Sequence, residues 1–317
     1  MLSGTVCPPA MGESFGSDDM NQGSAFSVER FDMLNPRVGT YDEALAHIGR
    51  RSPTYRGDLP VSESMVKGYL AMIEDGNPSY WGDPSIVRVP APPAFLQATV
   101  MPLPWCPGLR PAQDFEVFNI PLPGRTLINV ATDALYRRPY SVGERISVYD
   151  EVLSVSAEKS TRLGVGHFVT TAFHYLDQDG NEVASIANKM FRFNGMPLTE
   201  EERTDVPGRR DSGEVDDGAL LECSGSSSHI DRGELTPGRR LPRVALRVTE
   251  RTAILVPVST WDLFPGHHSV DYARGQGQPD VYLNTIALQG FADRVVTDWI
   301  APSNRISRRQ MTMIGSV

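Results

Sequence analysis

Apolar residues recur at helical spacing in two parts of the chain. The segment 62–75 shows this pattern, and Ser62 is a suitable N-cap for it. The segment 281–300 shows the same spacing over a longer stretch. The stripe residues are Met65, Tyr69, Met72 and Ile73 in the first segment, and Leu283, Ile286, Ala287, Phe291, Val295 and Trp299 in the second. The pattern therefore predicts one amphipathic helix in each half of the chain.

Between these two helices the pattern becomes typical of strands. Four segments after Arg125 are rich in β-branched and aromatic residues, and DQDG at 177–180 predicts a hairpin between the last two. The proline-rich passage 89–108 allows only short helical turns. The predicted strands span 127–138, 145–160, 166–180 and 181–195. The first half thus predicts a helix followed by an antiparallel meander that wraps it.

The second half is shorter, and a polar stretch separates it from the first. Residues 244–260 predict a strand, 261–280 are rich in turn residues, and 305–317 predict a final strand. The stretch 197–242 is dominated by charged residues, Gly, Ser and Pro, which bury too little apolar area to offset their ordering entropy. Four parts follow: an N-terminal extension 1–40, a first module 41–196, a linker 197–242 and a second module 243–317.

Composition and charge argue against several classes of protein. Of the 317 residues, 40% are hydrophobic and 22% are charged, so the chain can bury a core. The formal charge of −9 argues against a nucleic-acid partner. No apolar run approaches the roughly 18 residues of a membrane span, and the N-terminus lacks the layout of a signal peptide. Three cysteines without CxxC spacing indicate reduced thiols. We therefore expect a cytoplasmic protein without a membrane span.

A short signature occurs in both modules. Asp75–Tyr80 reads DGNPSY and Asp262–His267 reads DLFPGH. Each copy has an aspartate, a proline three positions later and an aromatic or imidazole ring five positions later. Such a repeat carries more weight than either match alone. On the residues alone, both aspartates also suit turns or helix caps, and His267 also suits a surface loop.

The second copy resembles the signature of MaoC-like (R)-specific enoyl-thioester hydratases, Asp-x-Asn-Pro-x-His followed by an alanine. Phe264 stands where this family has Asn, and Ser269 replaces its acidic residue. The segment 279–302 is similar to the small subunits of actinobacterial heteromeric hydratases that act on steroid side-chain thioesters. Residues 72–84 and 137–146 resemble the N-terminal MaoC-like dehydratase domain. The matching signature residues are Asp262, Pro265, His267 and Ala273.

The resemblance implies an α+β fold called a double hot dog, in which two antiparallel sheets each wrap a central helix around a tunnel for an acyl-pantetheine arm. The second unit is expected to be shortened. From Asp75 to the end of the last strand of the first module at Phe193 there are 118 residues (193 − 75), but only 55 follow Asp262 (317 − 262), so the second copy is expected to lack its last strands. A sheet cut in this way has unpaired edges, which a partner chain or a second protomer can complete.

The resemblance also implies the chemistry, namely reversible hydration of a 2-enoyl thioester or dehydration of a 3-hydroxyacyl thioester. Asp262 and His267 are the expected acid–base pair, and the backbone N–H of Asn284 is the expected oxyanion donor. Tyr80 replaces the histidine of the first module, and a phenol is a poor base at neutral pH. The first module is therefore expected to be non-catalytic. The expected substrate-binding residues are Phe264, Pro265, Gly266 and Tyr80. No metal and no cofactor is expected.

Two other functions remain open. The same scaffold suits conjugate addition of another nucleophile, such as an amine, or thioester hydrolysis, because Phe264 changes the polarity beside the base. Tyr80 and the short second module also suit a non-catalytic acyl-binding subunit of a heteromeric hydratase. In each case the partner is an acyl-CoA or acyl-carrier-protein thioester. The expected assembly is a homodimer or a hetero-oligomer with another hot-dog subunit.

Overall fold

The computed structural model describes residues 36–81, 88–104, 113–195, 236–238, 248–297 and 305–315. Most of the predicted extension 1–40, most of the predicted linker 197–242 and all three cysteines lie outside these ranges. Residues Met33–Val317 form one compact unit. The boundaries of the two modules, 41–196 and 243–317, stay a prediction.

The first predicted helix is confirmed as α2, Glu63–Ile73, which follows the short helix α1, Tyr41–Leu45. Ser62 caps α2, because its hydroxyl oxygen accepts the Met65 N–H at 3.3 Å. The buried face of α2 consists of Val66, Tyr69, Leu70, Met72 and Ile73. The proline-rich passage forms a 3-10 helix, Pro93–Val100, as its proline content predicts. Two further short helices are α3, Pro78–Trp81, and α4, Glu116–Asn119.

The strands form an antiparallel sheet, so the α+β prediction is confirmed. They are β1 Tyr55–Arg56, β2 Thr126–Tyr136, β3 Ser147–Val155, β4 Lys159–Thr161, β5 Gly164–Leu176, β6 Glu182–Phe193 and β7 Arg308–Thr312. The strand order is β1-β3-β5-β6-β2-β7, with β4 paired to β5. The predicted DQDG hairpin joins β5 to β6. The meander is not in chain order, because β2 pairs with β6 and not with β3.

The second half begins with a helix where the sequence predicted a strand. In the segment 244–260 the structure has helix α5, Glu250–Thr260, so the strand prediction there was wrong. The β-branched residues of α5 favour a strand by propensity. Burial of Val256 and Thr260, on a helix that packs against α2, outweighs that propensity. A capping box formed by Thr249 and Thr252 starts the helix.

Two more helices and one strand complete the described part of the second half. Helix α6 is Val270–Gly275, and α7 is Thr285–Thr297, which confirms the helix predicted within 281–300. The predicted final strand is confirmed as β7, which pairs with β2. Within the described residues, this half thus adds a single strand to the sheet of the first half. None of the helices described is long and apolar enough to cross a membrane.

Helix α7 packs closely on α2 and joins the two halves. The Tyr69 hydroxyl donates a hydrogen bond to the Ile286 carbonyl oxygen at 2.9 Å. A Cβ atom added at Gly290 would overlap this hydroxyl and lie 3.0 Å from Ile73 Cγ2, so the approach needs glycine. At the far end of α7, the Thr297 hydroxyl donates to Asp75 Oδ2 at 3.0 Å.

A buried ion pair ties β7 to α7. Arg309 Nη1 lies 2.5 Å from Asp293 Oδ2, and both side chains are more than nine-tenths buried. Arg309 Nη2 also donates to the Tyr136 hydroxyl at 2.7 Å and to Gln289 Oε1. Burial raises the pKa of Asp293, while the Arg309 charge opposes that rise. One cation therefore holds β7, α7 and β2 together.

Replacing Arg309 with alanine should destabilise the protein by about 3 kcal/mol or more, because Asp293 is left buried without its cation. The adjacent Arg308 is the matched control. Its pair with Asp133 is 58% and 39% exposed, so Arg308→Ala should cost much less stability than Arg309→Ala. Urea unfolding of the two variants measures the difference. Equal losses of stability in the two variants would contradict the conclusion that the Arg309 charge holds β7, α7 and β2 together.

Candidate functional site

The two signature copies share one backbone geometry. Trp261 ends α5 with a left-handed φ of 58°, directly before Asp262. Glu74 ends α2 with a φ of 56°, directly before Asp75. Within the described ranges, no other non-glycine residue has a positive φ. The sequence repeat is therefore also a structural repeat, in which a left-handed helix end delivers an aspartate.

His267 ends a 3-10 helix, Pro265–His267, and its ring is fixed by a backbone carbonyl. Its Nδ1 lies 2.7 Å from the Tyr282 carbonyl oxygen. Since a carbonyl only accepts, Nδ1 carries the proton and Nε2 of the neutral ring keeps a lone pair. The Tyr282 N–H donates back to the Gly266 carbonyl at 3.2 Å. This pair of bonds sets both the tautomer and the orientation of His267.

Asp262 lies directly in front of the free imidazole nitrogen. Its Oδ2 is 3.5 Å from His267 Nε2, and its Oδ1 accepts the Phe264 N–H at 3.4 Å. The carboxylate is 21% exposed and the imidazole 8% exposed. The structure thus brings the predicted pair together in a partly buried loop, with one carboxylate oxygen and one ring nitrogen facing each other.

Two aromatic rings contact the imidazole, and a third packs against one of them. Phe264 and Tyr282 meet His267 edge to face, with ring centroids 5.5 and 5.1 Å away. Phe264 also meets Tyr272 at 5.4 Å. Burial raises the pKa of the Tyr282 phenol, and the nearby Tyr272 and Asp262 raise it further, so this phenol stays protonated. Phe264, the departure from the family signature, therefore shields the ring where an asparagine would add a polar group.

Asn284 caps helix α7 beside this loop. Its side-chain oxygen accepts the Ala287 N–H at 2.9 Å, which satisfies one amide of the first helical turn. Its side-chain nitrogen donates to the Thr260 hydroxyl at 2.7 Å. Thr260 lies two residues before Asp262, so the start of α7 is attached to the end of α5. The predicted oxyanion residue thus sits at a helix N-terminus next to the Asp262 loop.

Tyr80, the other predicted binding residue, lies apart from this loop. It is buried in the core of the first half, and burial raises the pKa of its phenol. In the described part of the chain, no hydrogen bond or ring contact joins it to Asp262 or His267. The Asp75 carboxylate beside it accepts the Asn77 N–H and the Thr297 hydroxyl. The first signature copy is therefore a buried structural turn.

The neighbouring His268 contacts a backbone carbonyl and lies on the surface. Its Nε2 lies 3.0 Å from the Leu263 carbonyl oxygen and its side chain is exposed, unlike that of His267. Within the ranges described, no group of three or more His, Cys, Asp or Glu residues is placed to hold a metal ion.

Comparison with known proteins finds a dehydratase-like region in the sequence and a dehydratase-like fold. The model of the FAS1-like dehydratase domain region matches residues 46–186. A MaoC-like dehydratase superposes with a TM-score of 0.61, over 86% of this chain and 84% of that chain, at 19% identity. The fold is therefore that of a MaoC-like dehydratase. A conserved hypothetical protein of Mycobacterium tuberculosis with a double hotdog fold superposes at a TM-score of 0.53, over 85% and 80% of the two chains, at 12% identity. The predicted double hot-dog fold is confirmed.

Curated relatives that match this chain are named as hydratase subunits. It is 33% identical over 153 residues to a probable enoyl-CoA hydratase alpha subunit of Thermomonospora curvata, covering 44% of this chain and 46% of the relative. It is 32% identical over 176 residues to the 3-oxo-4,17-pregnadiene-20-carboxyl-CoA hydratase alpha subunit of M. tuberculosis, covering 49% and 53%. The beta subunit of that hydratase matches at 33% over 66 residues, or 21% and 51%. The chain thus spans about half the length of these relatives.

Two parts of the candidate site were not found from the sequence. The Tyr282 carbonyl, which fixes His267, carries no sequence signal because every residue has a carbonyl. Thr260 is a polar residue at the end of an apolar helix. Its complete burial, at 0% exposure, could not be read from the sequence. Its position two residues before the signature aspartate was visible, but 244–260 was predicted as a strand.

Gly266 is a sensitive point of the loop, and its replacement tests the packing independently of any activity. A Cβ atom there would lie 2.7 Å from Tyr282 Cζ and 2.9 Å from Phe264 Cε1. Gly266→Ala should therefore destabilise the protein by about 1–3 kcal/mol through overpacking. Gly275→Ala is the control, because a Cβ there meets nothing within 4 Å. Thermal unfolding compares the two, and a neutral Gly266→Ala would contradict the described loop.

Proposed function

We propose that this protein catalyses reversible hydration of a 2-enoyl thioester, carried by coenzyme A or a carrier protein, with Asp262 and His267 as the acid–base pair. The observation that carries the proposal is the ring of His267. Its proton is held at Nδ1 by Tyr282, and its Nε2 lone pair faces Asp262 at 3.5 Å. The curated relatives, named as enoyl-CoA and steroid-CoA hydratase subunits, support the reaction class and the carrier.

The free nitrogen and the carboxylate can share one water molecule. A water at ordinary hydrogen-bond distances of about 2.8 Å can contact both Nε2 and Asp262 Oδ2, because these atoms are only 3.5 Å apart. His267 then takes one proton from that water as its oxygen bonds to C3 of the enoyl group. The C2–C3 π electrons move toward the thioester carbonyl, which gains negative charge.

The start of α7 is suited to receive that charge. The first N–H groups of a helix have no intrahelical acceptor, and the helix dipole favours an anion there. The Asn284 side chain is occupied by Ala287 and Thr260, so the backbone N–H of Asn284 is the donor that we assign. Asp262 then relays to C2 the proton that His267 took from the water, so that one water molecule is added and the acid–base pair returns to its starting state. In dehydration the same groups act in reverse order.

The remaining predicted residues have supporting roles in the proposed reaction. Phe264, Pro265 and Gly266 line the approach to His267, and Phe264 keeps that side apolar. In the first half, Asp75 is occupied by hydrogen bonds and Tyr80 is buried, so this half lacks a base at the signature. We assign it to holding the acyl chain, with Tyr80 on the binding side.

The acid–base pair is tested by single substitutions. Asp262→Asn and His267→Ala should each lower hydration, followed by loss of enoyl absorbance, by at least about 100-fold, because each removes one proton-transfer group. His268→Ala is the matched control and should retain activity, since its imidazole faces the Leu263 carbonyl. Mass spectrometry of the product should show the addition of water. Full activity of both site variants, or an amine adduct or free acid as product, would contradict the proposal.

We also propose that the active protein is an assembly of hot-dog subunits. The chain matches both an alpha and a beta subunit of one relative. In the described residues, β7 pairs on one side only, with β2, and an unpaired strand edge can accept a further strand.

Light scattering tests the assembly directly. A homodimer should show twice the chain mass. A heteromer should show a monomer that gains activity only with a small hot-dog subunit. A monomer that is fully active alone would contradict this assembly.

A further inference from the structure

The Thr260 hydroxyl connects two elements of the proposed site. It accepts the Asn284 side-chain N–H at 2.7 Å and the Asp262 backbone N–H at 3.4 Å. It donates its own proton to the Val256 carbonyl at 2.7 Å. The end of the helix that delivers Asp262 and the start of α7 therefore meet at a single buried oxygen atom.

The direction of each hydrogen bond in this connection is determined. Because the Val256 carbonyl only accepts, Thr260 must donate to it, and Asn284 must donate its amide N–H to Thr260. The Asn284 oxygen is then turned to the Ala287 N–H, at 2.9 Å. Thr260 is 0% exposed and Asn284 is 1% exposed, so no water competes for these bonds. The connection has one arrangement and is rigid.

The first half of the molecule lacks this connection. By its place two residues before Asp75, Ile73 corresponds to Thr260, and it ends α2 as Thr260 ends α5. Pro92 precedes the 3-10 helix Pro93–Val100, which packs against α7; by this place it corresponds to Asn284, and it makes no side-chain cap hydrogen bond. The backbone repeat is thus the same in both halves, but the polar connection exists only in the half that holds Asp262 and His267.

We infer that Thr260 and Asn284 are positioning residues, which fix the distance between Asp262 and the oxyanion-binding start of α7. This inference rests on the proposed function, because both aligned elements belong to that reaction. Neither side chain touches the reacting atoms. Protein stability alone does not explain the difference between the halves, since the corresponding helix of the first half, α2, ends with an apolar residue, Ile73. The water molecule and the enolate oxygen must be bound at a fixed distance from each other, and the buried Thr260 hydroxyl fixes that distance.

Thr260→Val and Thr260→Ser separate positioning from packing. Valine keeps the shape but removes the hydroxyl, so kcat should fall on the order of 10- to 100-fold, as for a small misplacement of catalytic groups. KM should change by less than about threefold, because substrate contacts are retained. Serine keeps the hydroxyl and should restore kcat to within about threefold of the native value. Ile73→Val, the same kind of change at the matching site, should leave kcat unchanged.

A second readout does not depend on activity. Hydrogen exchange of the Ala287 amide should speed up in Thr260→Val, because Asn284 loses its anchor, and should stay native in Thr260→Ser. Native kcat in folded Thr260→Val, with Asp262→Asn inactive, would overturn the positioning role and leave the proposed function standing. Full activity of Asp262→Asn would instead overturn the proposed function. Unchanged Ala287 exchange in Thr260→Val would overturn the connection itself.

Discussion

The close packing of α7 against the first half is the constraint on which the site depends. Gly290 lets α7 approach Tyr69, whose hydroxyl bonds to a carbonyl of the same helix. The buried Arg309–Asp293 pair then fixes the strand that follows. Because the start of α7 carries the proposed oxyanion donor, the geometry of the site depends on the contacts that the other half makes with α7.

The two halves share one local backbone structure but use it for different purposes. Each has a helix that stops at a left-handed residue and presents an aspartate. In the first half the aspartate is buried and its oxygens bind Asn77 and Thr297, so it serves the packing of α7. In the second half the aspartate stays partly exposed and faces an imidazole. Loss of the base at Tyr80 therefore fits a structural use of the first copy.

Much of the fold could be predicted because its determinants are local. A composition rich in β-branched and aromatic residues predicted β2, β3, β5 and β6, helical spacing with the Ser62 cap predicted α2, and the turn chemistry of DQDG predicted a hairpin. Helix α5 could not be recognised, because its β-branched residues carry a strand preference that only packing on α2 overrides. The strand order also depends on long-range pairing, which placed β2 beside β6.

The candidate site divides in the same way. Asp262 and His267 were found through a motif at fixed spacing, and the structure places them together. The partners that orient them were not found, because they act through a carbonyl at Tyr282 and a hydroxyl at Thr260. Asn284 was expected for its backbone N–H alone, and its side chain proved to be a bonded helix cap. Such contacts join distant residues and leave no periodic pattern in the sequence.

The chemistry requires that His267 carries its proton on Nδ1 and presents a free Nε2 to Asp262. Nitrogen-15 NMR of the imidazole in the resting protein, at a pH where the ring is neutral, measures this tautomer directly. The account predicts a protonated Nδ1 and an unprotonated Nε2 for His267. A neutral ring that carries its proton on Nε2 would contradict the account, because that nitrogen could not accept a proton from water.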